Sequence, residues 1–101
     1  MLQNVQKADV VITNPTHYAI AIKYTPGETS APVVIAKGVD FLALQIRKLA
    51  EDAGIPIVEQ PPLARALYFN VEVEQEIPEN LFKVVAQVLA YVYSLRKKNY
   101  A

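Results

Sequence analysis

The residues best equipped for chemistry stand together as Asn14-Pro15-Thr16-His17. An asparagine in a turn ordinarily degrades when the next residue's backbone nitrogen attacks its side-chain amide. Proline has no N–H to offer, so Pro15 closes that route. The remaining intramolecular route has the Asn14 amide nitrogen attack the main-chain carbonyl carbon of Asn14 itself. A five-membered imide forms, the Pro15 nitrogen is expelled, and the backbone is severed between residues 14 and 15. An amide nitrogen is a poor nucleophile, so geometry must compensate. Well-oriented intramolecular attack reaches effective molarities of about 10⁵–10⁸ M, worth roughly 7–11 kcal/mol. Turn strain of about 1–3 kcal/mol, relieved on cleavage, would add to this. Histidine exchanges protons readily near neutral pH. His17 is therefore the candidate to take the amide proton or to protonate the departing Pro15 nitrogen, and Thr16 the candidate to hold the turn's shape.

Each of these residues also has an ordinary reading. Asn-Pro in a loop is commonly a turn and nothing more, a lone histidine is commonly structural or superficial, and threonine is a usual turn residue. Composition and spacing permit the reaction without establishing it. What the composition does is remove competitors. The 101 residues include no cysteine and one histidine, which excludes a disulfide scaffold, cysteine-ligated zinc, iron–sulfur clusters and thiol catalysis. No metal and no cofactor is expected. Ten basic and ten acidic side chains balance to zero, against the basic excess of a nucleic-acid binder. A conventional hydrolase would need a nucleophile–base pair, a metal constellation or a phosphate loop, and none is written here.

The turn must be positioned by flanking elements. Asp9 to Thr13 is a β-branched run that reads as a strand. Tyr18 to Tyr24 alternates, with Ile20, Ile22 and Tyr24 on one face and Ala19, Ala21 and Lys23 on the other. Val33 to Ala36 reads as a third strand buried on both faces. Asp40 is the expected N-cap of a helix running to Ala53, with Leu42, Ile46, Leu49 and Ala53 as its apolar stripe. Gly54 and Pro56 end that helix. Ile55 to Glu59 reads as a fourth strand, and Pro62 opens a brief helix over Leu63 to Asn70. The acidic stretch Glu72 to Glu79 reads as a solvated loop. Pro78 begins a last helix whose stripe is Leu81, Val84, Val85, Val88, Val92 and Leu95, with Arg96-Lys97-Lys98 at its carboxy-terminal end. Tyr24, Tyr68 and Tyr91 read as core-edge aromatics. The sum is an α/β single domain over residues 1–101, with a mixed four- or five-stranded sheet covered by about four helices. Met1 to Lys7 lacks a signal-peptide apolar region. Leu81 to Leu95, broken by Lys83, Gln87 and Ser94, falls short of the ~20 residues of a membrane span. The chain reads as soluble, and as a candidate piece of something larger.

Ala8 to Thr13 followed by Asn14-Pro15-Thr16-His17 resembles the self-cleaving site of the export-switch proteins of type III secretion systems. Ser30-Ala31-Pro32-Val33-Val34-Ile35-Ala36-Lys37-Gly38 is similar to that family's third-strand segment. Pro61-Pro62-Leu63-Ala64-Arg65-Ala66-Leu67-Tyr68 is similar to its Pro-Leu-Ala-Arg-Ala-Leu-Tyr box, and Ile77-Pro78 leading into Val84 to Tyr93 to its final helix. The likeness covers nearly the whole chain, in order, and is closer to the flagellar member than to the virulence injectisome members. One departure is plain: the family's amino-terminal membrane portion is absent. The resemblance implies a domain on the cytoplasmic face of the bacterial inner membrane. It implies a single self-cleavage at Asn14–Pro15 into 1–14 and 15–101, which stay associated, and no turnover enzyme. It implies a change of substrate class, from rod and hook subunits to filament subunits. The implied partners are other export-gate components, a secreted ruler protein that controls hook length, and export substrates; nucleic acid is not among them. Arg65 then has a structural or docking role. The competing reading is a non-cleaving α/β docking module of an export apparatus.

Overall fold

The computed structural model describes the backbone of residues 1–100 and the side chains of residues 1–96, so the Lys97-Lys98 part of the basic tail lies outside the described side chains. Four strands, β1 (Val10–Asn14), β2 (Tyr18–Lys23), β3 (Val33–Val39) and β4 (Ile57–Glu59), form one sheet in the order β3-β2-β1-β4. β1 runs antiparallel to β2 and parallel to β4, while β2 and β3 are antiparallel. The sheet is therefore mixed, as expected, and β1 is an interior strand. Helices α1 (Asp40–Asp52), α2 (Pro61–Asn70) and α3 (Phe82–Tyr100) cover it, together with 3₁₀ turns at Leu2–Lys7 and Glu79–Leu81.

The period-two pattern of β1 and β2 divides the core into two layers, and a register shift between Ala21 and Ile22 in the β2–β3 ladder lets Val34 and Ala36 face opposite ways. Val10, Ile12, Ile20, Ile22 and Val34 face α2 and α3, which contribute Leu63, Leu67, Val85, Val88, Leu89 and Val92. Val11, Ala19, Ala21 and Ala36 face α1 and the amino-terminal turn, which contribute Ala43, Ile46, Ala50 and Val5. Burying an aliphatic side chain of this size stabilises the fold by roughly 1.5–3 kcal/mol. Gly54 takes the expected left-handed conformation, φ +72°, just past α1. Pro61 occupies the first turn of α2, where its missing N–H costs nothing.

Several expectations are corrected. β3 is an edge strand, and Val33 and Ile35 are only half-buried. Its open edge is covered by the acidic stretch, which is therefore not simply solvated. Val34 N–H donates to Gln75 O at 3.1 Å, Glu74 N–H to Val34 O at 2.6 Å and Ile77 N–H to Pro32 O at 2.7 Å. Backbone pairing there removes the aggregation hazard of a bare edge. The face of α1 is rotated from its expected stripe: Ala43, Ile46 and Ala50 are buried, whereas Leu49 and Ala53 are exposed. The sheet face beneath α1 is built of Ala19, Ala21 and Ala36, so the helix approaches closely on its own small residues. Tyr91 is 55% exposed and is not a core-edge residue. The Leu2–Lys7 turn was not expected, yet it plugs that layer with fully buried Val5.

Candidate functional site

The β1–β2 hairpin holds the tetrapeptide. Its last rung pairs Asn14 with Tyr18, leaving Pro15, Thr16 and His17 as the connection. Up to that rung the chain is gripped from both sides. Buried Thr13 lies opposite Ala19 on β2 and Glu59 on β4, and its carbonyl accepts from Gln60 N–H at 2.9 Å. Asn14 and Pro15 are half-buried, while Thr16 and His17 are exposed.

The structure brings together all four residues singled out by sequence. His17 N–H donates to the Asn14 main-chain oxygen at 2.9 Å, closing the turn. That oxygen belongs to the carbonyl an attacking amide nitrogen would meet. A fixed N–H aimed at it polarises the carbon and is in place for an oxyanion. Thr16 Oγ1 lies 2.6 Å from His17 Nδ1 and 3.5 Å from Asn14 Oδ1, so one hydroxyl bridges the imidazole and the carboxamide. The His17 carbonyl is tied in turn, accepting from Asp40 N–H at 3.0 Å.

Asp40 is the residue whose part sequence reasoning missed. No side-chain hydrogen bond caps the start of α1, so Asp40 is not the N-cap expected. It is instead the first helical residue, with φ +49°. The available signal was aspartate's tolerance of left-handed backbone, not its capping oxygen. Arg65 lies over Phe69 of its own helix, its guanidinium carbon 5.7 Å from the ring centroid. Phe69 meets Tyr18 edge-on at 5.8 Å, and Tyr18 packs on Tyr68 at 5.0 Å, which links α2 to the end of the turn. Lys37 steadies the same cluster, donating to Tyr68 O at 2.8 Å. Among the described residues no group of three or more histidine, aspartate or glutamate side chains is arranged to hold a metal ion, and no helix is long and apolar enough to cross a membrane.

Residues 1–92 match the model of the FlhB HrpN YscU SpaS family. The chain belongs to that family. It is 58% identical over 100 residues to the flagellar biosynthetic protein FlhB of Bacillus subtilis, covering 99% of this chain and 28% of that protein. It thus spans little more than a quarter of the length of that curated relative. Among solved structures it superposes on the cytoplasmic domain of FlhB from Shewanella putrefaciens with a TM-score of 0.94 at 50% identity, covering 98% of this chain and 76% of that one. A mutated C-terminal domain of EscU aligns with a TM-score of 0.87 at 46% identity, covering 90% of this chain and 91% of that one. The family expected from Asn14–His17 and Pro61–Tyr68 is the family found, and the likeness is to its flagellar, FlhB-type members. The α/β domain with a mixed sheet is likewise theirs.

Proposed function

We propose that this chain is the cytoplasmic switch domain of a flagellar protein-export component, severed once between Asn14 and Pro15 by cyclisation of Asn14. The observation that carries this reading is the 2.9 Å hydrogen bond from His17 N–H to the Asn14 carbonyl, in a turn gripped by interior strand β1. The contacts support the following chemistry. A hydroxyl has one proton, so if Thr16 Oγ1 donates to Asn14 Oδ1, then His17 Nδ1 donates to Thr16 Oγ1. This chain of donors stabilises negative charge on the amide oxygen as solvent hydroxide removes a proton from Nδ2. Nδ2 then attacks the Asn14 carbonyl carbon, and the resulting oxyanion is held by His17 N–H. Collapse breaks the bond to the Pro15 nitrogen, which takes a proton and leaves as a secondary amine. Asn14 remains as a terminal cyclic imide that water opens. Each molecule acts once, without cofactor.

The two pieces stay together because the smaller one is built into the core. Val5, Val10, Val11 and Ile12 are fully buried, and β1 is paired on both edges. The cut alters the exposed turn, not the fold, and remodels the surface carrying Pro15 to His17. That surface serves docking of other export-gate components, the ruler protein and export substrates at the cytoplasmic face of the inner membrane, where the rest of a longer protein would anchor it.

Mass spectrometry under denaturing conditions tests the reading. The parent is expected as two pieces, 1–14 and 15–101, that co-elute as one particle under native conditions. Asn14→Ala is expected to keep the intact 11.2 kDa chain. A parent that stays whole through long alkaline incubation leaves only the non-cleaving docking module.

A further inference from the structure

We infer that Asp40 is a positioning residue for self-cleavage, acting through its left-handed backbone and not through its carboxylate. The inference rests on the self-cleavage reading and adds to it a residue far from the tetrapeptide in sequence. Within residues 14–17 none has a positive φ; the left-handed residue stands across from the turn, at Asp40 with φ +49°. β3 pairs with β2 as far as Val39 opposite Tyr18, and the next backbone bond, Asp40 N–H to the His17 carbonyl at 3.0 Å, extends that ladder into the turn. His17 is thereby clamped at both ends of its backbone. Its N–H is on the scissile carbonyl and its C=O is on Asp40.

The junction that delivers Asp40 is built tightly. A Cβ on Gly38 would fall 2.5 Å from Leu42 Cγ, so the first turn of α1 folds straight back onto the end of β3. The chain makes that reversal in one residue by entering the left-handed region at Asp40. Glycine, asparagine and aspartate accept this conformation, whereas other residues pay roughly 1–2 kcal/mol for it. A residue that declines it swings the Asp40 N–H away from His17, and the N–H of His17 then loses its fixed aim at the Asn14 carbonyl.

The test is a pulse–chase of the full chain in a cell-free translation reaction, following conversion to the 15–101 piece at 25 °C. Asp40→Gly and Asp40→Asn are expected to cut at the parental rate. Asp40→Ala is expected to be about five- to thirtyfold slower, the left-handed penalty expressed as a rate. Gly54→Ala is the control, since it imposes the same penalty just past the far end of α1, φ +72°, where the added Cβ meets nothing within 4 Å. It is expected to lower the melting temperature as Asp40→Ala does while leaving cleavage unchanged. Equal slowing by Asp40→Ala and Gly54→Ala would assign the effect to general stability and overturn the inference. Slowing by Asp40→Gly and Asp40→Asn as well would assign it to the carboxylate, with the same consequence, as would an unchanged rate in Asp40→Ala. An uncut parent chain is a separate outcome: it removes the self-cleavage reading, and the inference with it.

Discussion

Two connections between neighbouring antiparallel strands contain a hydrogen-bonded carbonyl directly before a proline, and they differ instructively. Asn14–Pro15 opens the connection between β1 and β2, and Thr25–Pro26 lies in the one between β2 and β3. In both, the carbonyl before the proline accepts backbone hydrogen bonds. The Asn14 oxygen takes His17 N–H at 2.9 Å; the Thr25 oxygen takes Glu28 N–H at 3.1 Å and Thr29 N–H at 3.4 Å. The longer connection contains its own left-handed glycine, Gly27 at φ +91°, and is tied locally by Thr29 Oγ1 to Ala31 O at 2.7 Å. The shorter one contains no such residue and takes its outer support from Asp40. A polarised carbonyl before proline is thus common to both. A carboxamide at that position, a hydroxyl–imidazole pair beside it and a backbone clamp from the first residue of α1 belong to one alone.

Transplanting the asparagine breaks the comparison most severely. Thr25→Asn sets a second carboxamide before a proline, in a hydrogen-bonded turn without a threonine–histidine pair. No cut at residue 25 is expected, at least a hundredfold below the rate at residue 14, because misplaced groups forfeit the advantage of orientation. Peptide mapping after prolonged incubation reads it, and comparable cutting at both sites would reduce the clamp to decoration. His17→Ala comes next. It removes the imidazole that donates to Thr16 Oγ1 and keeps the backbone N–H, so loss of that donor is expected to slow cleavage by about 10²-fold without stopping it; an unchanged pulse–chase rate removes the imidazole from the mechanism. Gly27→Ala has the smallest effect. It costs roughly 1–2 kcal/mol of fold stability, seen as a melting temperature lower by about 4–16 °C for a domain of this size, with cleavage at the parental rate.

The sequence carried the site further than it carried the helix that supports it. Tetrapeptide, flanking strands and the facing of Ile20 and Ile22 against Ala19 and Ala21 were legible because alternation over a strand is a local property. The buried side of α1 was not. Leu44 and Leu49 are exposed while Ala43 and Ala50 are buried, since the sheet opposite offers alanines and rewards close approach over bulk. Edge status of β3 was equally hidden, because the segment that pairs with it, residues 72–77, follows only after α1, β4 and α2. Asp40 shows the limit within the site itself. Aspartate before a helix signals a cap, yet here the residue is used for its backbone, and only the neighbouring His17 carbonyl reveals that use.

With β1 in the interior of the sheet, the proposed cut changes the molecularity of refolding. While the backbone is whole, β1 returns to its slot between β2 and β4 by a first-order step. After the proposed scission the same fourteen residues would be a peptide ligand whose rebinding is second order, so dilution alone would shift the balance toward an emptied slot. The melting temperature of severed protein then depends on concentration, whereas that of the Asn14→Ala chain does not.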